Sequence, residues 1–576
     1  MPQQQGPTLI TSTMLSISAM TRKRRRQRLL LLIITAVITV SYVIISESIP
    51  SLSIDAPPRG IISQAAVSIE QHEMPSSNKL ADAGKYRVQG TLHDLISIAE
   101  NESSSDITTY ADLIRDNTPL PKYSLQNAID AAEIYGSKFS LLRYDPTTDK
   151  FIGYYFRRHE WGSGCMKLAN SITVLTSMLR NLFPERFTPN SQEFVMAVSS
   201  GDYADVAYKY ETCIRKDEDG PCDESLSAAP PVLHFGSVFR QPHFPNLIAM
   251  PMPGDHLNCF KIWNDLKRRN DERRICDAFR PSNQGGWLPA IDLAWEDLTP
   301  QLIWRGTDFP FLEKQNSLRQ PRYETYITGK VKSHSNPTEA VTAILRQEYH
   351  KFVPRWKGVI HTAESEIEAS RTNTLPRINI KFTSVAGGGK RIPANIGGVY
   401  KGWKAVGFPV AGELMTLEEL AKYKYHIDLG GGGGTTWTGT LQKLYMPGLL
   451  FHHVTPTKDY IHDLIQPWVH YVPVRSDLED LLDKLEWAES HPDEARQISD
   501  NATKFVRELG TLDGFAQLFE SNMVKPLEEV IEAYTPGGDE EELNVLLQRS
   551  SIWPFIECTT TSCQRLGKAA WGRRSG

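Results

Sequence analysis

The sequence predicts an α/β protein of two halves, the first built on a mostly parallel sheet, and three observations lead there. The chain has 576 residues, more than one hydrophobic core usually holds. Between about residues 86 and 286, strand-like runs such as FVMAVSS (Phe194 to Ser200) and PVLHFGS alternate with helical stretches such as SITVLTSMLRNLF. That alternation argues for strands joined by covering helices. Between Lys422 and Val474 a short strand, a glycine run and a helical segment follow one another inside a second α/β half.

In chain order, residues 1–28 form a basic tail carrying Arg22, Lys23, Arg24, Arg25, Arg26 and Arg28. Leu29 to Ser46 then runs LLLLIITAVITVSYVIIS without a charge. At about 1.5 Å per residue a helix of that length just crosses the hydrocarbon of a thin endomembrane. Positive charge on its N-terminal side alone predicts a cytosolic tail and a lumenal remainder. The long leader and the lack of an A-x-A site favour an uncleaved signal anchor over a signal peptide. Residues 47–85 are rich in Pro, Ser, Gln and small residues and read as a stem.

The first α/β half occupies 86–286 and the second 287–535, with a long Lys/Arg-rich insert at about 316–412. Leu478, Leu481, Leu482 and Leu485 lie at helical spacing behind Ser476 as N-cap, and another helix starts at Pro492. Residues 536–576 read as a peripheral tail. All seven cysteines follow the apolar segment, as an oxidising lumen would allow, and the close pairs are Cys213/Cys222, Cys259/Cys276 and Cys558/Cys563, leaving Cys165 odd. Asn101 and Asn501 head N-glycosylation sequons. A net charge of −5 and the lack of a basic patch interleaved with aromatics give no sign of a nucleic-acid partner.

The chemistry concentrates after Lys422. Tyr425, His426 and Ile427 read as a strand that ends at Asp428 and opens into Gly430, Gly431, Gly432, Gly433 and Gly434. Thr435 and Thr436 follow, then a helical segment from Trp437 to Tyr445. Bare amides and a helix N-terminus suit a phosphate. A G-x-G-x-x-G dinucleotide fingerprint is not met, because Thr435 stands where its third glycine would. His452 and His453 are adjacent on a strand and face opposite ways, so they do not make a metal pair.

This stretch resembles glycosyltransferase family 90, the capsule-associated and protein O-glucosyl/xylosyltransferases. Tyr423, Lys424, Tyr425, Pro467, Trp468, His470, Tyr471, Pro473 and Val474 match its pattern, the last six within PWVHYVPV. The resemblance implies a GT-B architecture: two Rossmann-like domains facing a cleft, the acceptor on the first and a nucleotide sugar on the second. It implies Asp202, after the FVMAVSS strand, as the base that deprotonates the acceptor. It implies Arg305 of LIWRGTDF at the diphosphate, with Gly306 allowing close approach, Thr307 and Asp308 nearby, and Gly431 to Thr436 as the cradle. Asp428 either caps the glycine turn or reaches the ligand.

One departure stands out. Where family members carry an arginine just inside the helix, this chain has Thr440, or Gly439 by a shifted alignment; Lys390 and Arg391 are possible replacements. Asp217-Glu218-Asp219 is a poor match to a metal motif, and no metal or other cofactor is expected. The expected activity is inverting transfer of a sugar, glucose or xylose, from a UDP-sugar to a hydroxyl of a lumenal protein or glycan, in the Golgi or endoplasmic reticulum membrane. The alternative is a catalytically weak sugar- or protein-binding module of the same fold.

Overall fold

A hairpin begins the first sheet. In this computed structural model, β1 (Ser140–Asp145) and β2 (Lys150–Tyr155) pair antiparallel. Their turn is fixed by Asp145, whose carboxylate accepts from the Thr147 amide and from the Thr147 and Thr148 hydroxyls. β3 (Phe194–Ser199) lies antiparallel to β1, and β4 (Val232–His234) runs parallel to β3. The chain then leaves the sheet through β5 (Ser237–Val238) and returns as β6 (Leu247–Ala249), parallel to β4. The sheet is therefore mixed rather than mostly parallel: a short turn such as that of β1–β2 can only reverse the chain. α1 (Ser163–Leu182) buries Ile172, Leu175, Met178 and Leu179, and α2 (Asp255–Arg269) packs beside it.

The structure describes residues 120–128, 140–155, 163–199, 230–238, 247–251, 255–269, 293–309, 311, 321–387, 390–393, 400–436, 439–455, 457–537, 553–558 and 563–565. The basic tail, Leu29–Ser46, the stem, Asn101 and Asp202 lie outside them. Among the described residues no helix is long and apolar enough to cross a membrane.

The second sheet has the order β13-β11-β10-β7-β8-β9. β7 (Thr299–Thr307), β8 (Ile378–Gly387), β10 (Tyr423–Asp428), β11 (Leu449–His453) and β13 (Val472–Val474) are parallel, and β9 (Lys390–Pro393) folds back antiparallel on β8. α3 (Pro321–Val331), α4 (Pro337–Gln347) and α5 (Pro354–Thr372) make the crossover from β7 to β8. α5 starts at Pro354, whose fixed φ suits a first helical position, and buries Trp356, Val359, Ile360 and Ala363 at helical spacing. The segment read as an insert at 316–412 is thus no appendage: Trp356, Ile380 and Phe382 lie at the centre of the second core.

After β11 come β12 (Thr457–Lys458), β13 and then four C-terminal helices, with α6 (Gly439–Tyr445) preceding β11. These helices are α7 (Leu481–Ser490), α8 (Pro492–Leu509), α9 (Leu512–Phe519) and α10 (Lys525–Ala533). The start of α7 is Leu481 rather than the residue after Ser476, because Leu478 adopts φ 59° in the preceding turn. α8 serves both cores: Ala495 and Ile498 join the second, Ala502, Val506 and Leu509 the first. α9 and α10 bury Phe515, Phe519, Leu527 and Val530 wholly in the first core. Tyr123 locks them there, its amide donating to Ala533 O (3.1 Å) and its hydroxyl to Val195 O (2.7 Å). The C-terminal end of the 287–535 half therefore crosses back to the first.

The tail crosses back too. β14 (Trp553–Cys558) pairs with β2, and β15 (Cys563–Arg565) pairs with β14, so the last strands extend the first sheet. Their register sets Cys558 opposite Cys563. Cys259 is buried and disulfide-bonded.

Candidate functional site

β7 and β10 are adjacent parallel strands that end at the same sheet edge, and the glycine run leaves β10 there. The loop is buried from Leu429 to Thr435 except at half-buried Gly432. Almost every carbonyl is bonded to protein. Arg355 donates to Leu429 O and Gly430 O, and the Gly434 amide to Gly431 O (3.0 Å). The Thr457 hydroxyl donates to Gly433 O (2.8 Å), and the Thr455 hydroxyl to Gly434 O (3.0 Å). The Gly431 amide donates to Thr435 O (3.1 Å), and the Gly439 amide to Thr436 O (3.1 Å).

The amides behave otherwise. Those of Gly432, Gly433, Thr435 and Thr436 have no hydrogen-bond partner among the described residues. The Thr435 hydroxyl is buried and also without a partner. A loop with its acceptors consumed and several donors left over is built to receive a negatively charged or acceptor-rich group. Gly434 sits at φ 83°, and a Cβ on Gly430 would stand 2.3 Å from Gly434 O. Both positions therefore need glycine.

Arg355, from the first turn of α5, spans the ends of both strands. Its Nη1 donates to Thr307 O (2.5 Å), Nη2 to Leu429 O (2.8 Å) and Nε to Gly430 O (3.1 Å). The guanidinium carbon lies 5.0 Å from the Trp304 ring centre. Burial brings the Arg355 pKa down to about 10, with Asp308 opposing, so the group is a cation at neutral pH. In the sequence Arg355 is hidden as one cation of a basic run. Its signal was the string Val-Pro-Arg-Trp at a helix start followed by apolar residues three and four apart.

On the other side of the loop Asp428 is a buried hub. It accepts from the Thr440 hydroxyl (2.7 Å), His452 Nδ1 (2.8 Å) and the His453 amide (3.0 Å). Burial alone would raise its pKa, but His452, Lys443 and Thr440 hold it below the usual carboxylate value. Asp428 thus neither caps the glycine turn nor faces a ligand: both its oxygens are spent on framework. Thr440, standing where an arginine was expected, bridges Asp428 and the Thr436 hydroxyl. His452 and His453 do face opposite ways. His452 lies against His462 and Tyr471, whereas His453 accepts the Gly430 amide on Nδ1 (3.1 Å) and donates from Nε2 to Ser476 O (2.9 Å). Burial keeps His453 neutral, lowering its pKa to about 4 against the opposing pull of the Ser476 carbonyl and Asp428.

Arg305 goes elsewhere. It follows Trp304 on β7 and points to the opposite face, where Nη1 donates to Asn379 O (2.8 Å) and Nη2 to Asn379 Oδ1 (3.0 Å). Its place at a diphosphate is not met by this geometry; the guanidinium at the loop is that of Arg355. Gly306 accommodates Trp304, whose ring would lie 2.4 Å from a Cβ there. Lys390 and Arg391 are on β9, three strands from β10 in the sheet order, or roughly 14 Å at the usual strand spacing. Asn501 is in the interior of α8, its side chain accepting from Gln497, rather than in a surface loop. Among the described residues no cluster of metal-ligating side chains occurs.

Among the described residues a short ladder ties the first half to the loop. β5 follows directly on β4, and it pairs antiparallel with β12, whose Thr457 holds Gly433 O. β3 ends beside β4, with Ser199 opposite His234, and Asp202 follows Ser199 by three residues in the chain. The edge of the first sheet from which that segment departs is therefore tied to the glycine loop.

Comparison with known proteins bears on this same segment. Residues 408–515, containing β10, the glycine loop, α6, β11 and PWVHYVPV, match the family model described as glycosyl transferase family 90. Over that stretch the chain is similar to family 90. Over 99 residues it is 38% identical to protein O-glucosyltransferase 2 of Danio rerio, covering 16% of this chain and 18% of that relative. Over 99 residues it is 30% identical to protein O-glucosyltransferase 3 of Homo sapiens, covering 17% and 19%. It is also 29% identical over 132 residues to uncharacterized protein 179R of Invertebrate iridescent virus 6, covering 21% and 11%. The chain spans less than a fifth of the length of each of these curated relatives. Asp202, Arg305 and Arg355 all lie outside the stretch that matches the family 90 model.

Proposed function

We propose that this chain is a family 90 enzyme, an inverting O-glycosyltransferase that moves glucose or xylose from a UDP-sugar to a hydroxyl of a lumenal protein or glycan. The observation that carries the reading is the loop from Gly430 to Thr436, with nearly all its carbonyls bound and, among the described residues, four amides left to donate. A diphosphate is an acceptor-rich dianion and suits such a surface. The two sheets then act as the two Rossmann-like domains of a GT-B enzyme, the donor on the second and the acceptor on the first.

The chemistry is a single displacement. The acceptor oxygen attacks the anomeric carbon while the bond from that carbon to the diphosphate oxygen breaks. The acceptor proton passes to the Asp202 carboxylate, and UDP departs with the bonding electron pair. The donor-side framework holds the departing charge on the loop amides, and the reading uses no metal. Leu29–Ser46 anchors the protein in the Golgi or endoplasmic reticulum membrane, with the catalytic part in the lumen.

A donor screen tests this reading: hydrolysis of UDP-glucose, UDP-xylose, UDP-galactose and GDP-mannose by the purified lumenal part, wild type against Asp202→Asn. Turnover of one UDP-sugar that falls at least a hundredfold in Asp202→Asn supports it. A second reading, a binding module of the same fold, is favoured by Thr440 in place of an arginine. Equal and negligible turnover with every donor, alongside measurable UDP binding, would select that one.

A further inference from the structure

Arg355 does more in this fold than pair a charge. Its partners are all carbonyl oxygens, at the ends of two strands that are neighbours in the sheet. A peptide whose oxygen is fixed has its plane fixed as well. Holding Leu429 O and Gly430 O against the guanidinium sets how the chain enters the glycine loop. Thr455 and Thr457 fix the far side in the same way, through Gly434 O and Gly433 O. Between these two anchors lie Gly432 and Gly433, with two of the unpartnered amides. Gly431 has no room for a Cβ, which would stand 2.9 Å from Arg355 Nη2, so the guanidinium is in direct contact with the loop.

Charge points the same way. Thr440 is neutral and turned to Asp428, and Arg305 is turned to Asn379. Lys443 is near the loop's exit, its Nζ donating to Gly439 O (3.3 Å). Arg355 is the cation hydrogen-bonded to the loop itself, held over Trp304 in a buried site where a charge is felt strongly.

We infer that Arg355 is the positioning residue of the anion site. It clamps the carbonyls of Thr307, Leu429 and Gly430 so that the following amides stay turned to a diphosphate, and it places a fixed positive charge behind them. This rests on the nucleotide-sugar reading for the identity of the anion, but not for the clamp. A fork is needed because three carbonyls on two strands are met by three nitrogens of one planar group. A lysine offers the charge from a single atom and cannot reach all three.

Two measurements on the full chain separate the parts of this inference. Hydrogen exchange of the 429–436 segment, without nucleotide, reads the clamp. Calorimetric titration with UDP, UMP and uridine reads the charge. In Arg355→Met the 429–436 amides should exchange at least tenfold faster, while β11 and α8 are unchanged. UDP affinity should fall tenfold or more, with uridine binding within twofold of wild type. Arg355→Lys should restore part of the UDP affinity and little of the protection.

Unchanged exchange in Arg355→Met, with UDP affinity within twofold, would overturn the inference whatever the donor proves to be. Equal loss for UDP and uridine, with faster exchange throughout the second sheet, would also overturn it, leaving Arg355 a general support of the fold. Faster exchange confined to 429–436 in a chain that binds none of the three ligands would uphold the clamp and reject the nucleotide reading.

Discussion

Nη2 of Arg355 stands 2.9 Å from the place a Cβ on Gly431 would take. The residue before it is tighter still, since a Cβ on Gly430 would lie 2.3 Å from the backbone oxygen of Gly434. The two glycines thus face obstacles of different hardness. A guanidinium can withdraw, at the expense of its carbonyl contacts, but a turn's own backbone cannot without opening the loop. Gly430→Ala should therefore destabilise the chain by about 2–3 kcal/mol, and Gly431→Ala by about 1 kcal/mol. Thermal unfolding of the two variants measures the order. Equal losses would show that Arg355 is as immovable as the backbone.

Thr440 gives a second test. Its hydroxyl donates to Asp428 Oδ2 at 2.7 Å, in a site where Asp428 is fully buried. Thr440→Val keeps the shape and removes the donor, leaving a buried carboxylate one hydrogen bond short. That costs about 1–3 kcal/mol, whereas Thr440→Ser should stay within about 1 kcal/mol of wild type. Denaturant unfolding of both variants at neutral pH checks this. A Val variant as stable as the Ser one would mean that His452 and the His453 amide satisfy Asp428 unaided.

Much of this site was legible in the residues, and the rest was hidden for identifiable reasons. The strand before Asp428 and the helix at Pro492 announce themselves by local pattern, and both are found where the pattern puts them. Opposite facing of His452 and His453 follows from strand geometry alone. Arg355 was not legible, because a basic run reads as a solvated face until its helix is known to start at a sheet edge. Arg305 was misplaced because the parity of a single strand position decides which face it serves. The crossover from β7 to β8 looked like an insert because its strand lies far along the chain from β7. An apolar stripe also does not say which core it joins, so α9 and α10 were assigned to the wrong half. The tail strands are hidden for a similar reason: the β14–β15 pair joins the sheet only through β2, some four hundred residues earlier.

The Thr435 hydroxyl is buried with no partner among the described residues, and that orphan makes a third test. An unsatisfied buried hydroxyl is a cost to the ligand-free chain, so Thr435→Val should leave stability unchanged or raise it by up to about 1 kcal/mol. If the hydroxyl waits for a phosphate oxygen, the same variant should bind UDP about tenfold more weakly. Stability and calorimetric affinity measured side by side decide it. A variant that loses neither would make the hydroxyl a mere packing group.

Acid should unfold the second half through its buried histidines. Burial lowers the pKa of His426 and of His453 to about 4, from an ordinary 6.5. The folded chain therefore keeps both neutral over a range where the unfolded chain takes up protons. The unfolded state then binds more protons between about pH 6.5 and 4, so stability falls as pH is lowered through that window. Each histidine contributes up to about 1.4 kcal/mol per pH unit. His462, whose pKa Asp459 raises against the effect of burial, offsets part of the loss, since its contribution is present in acid and fades as pH rises. Asp428, held below its usual value, keeps its contribution until the pH falls below the ordinary carboxylate range. Denaturant unfolding at pH 7, 6 and 5 should show a steady loss, and His453→Asn should be less stable at pH 7 but lose less on acidification. Equal slopes in wild type and variant would show that His453 already titrates normally in the fold, and that its link between Gly430 and Ser476 does not depend on a neutral ring.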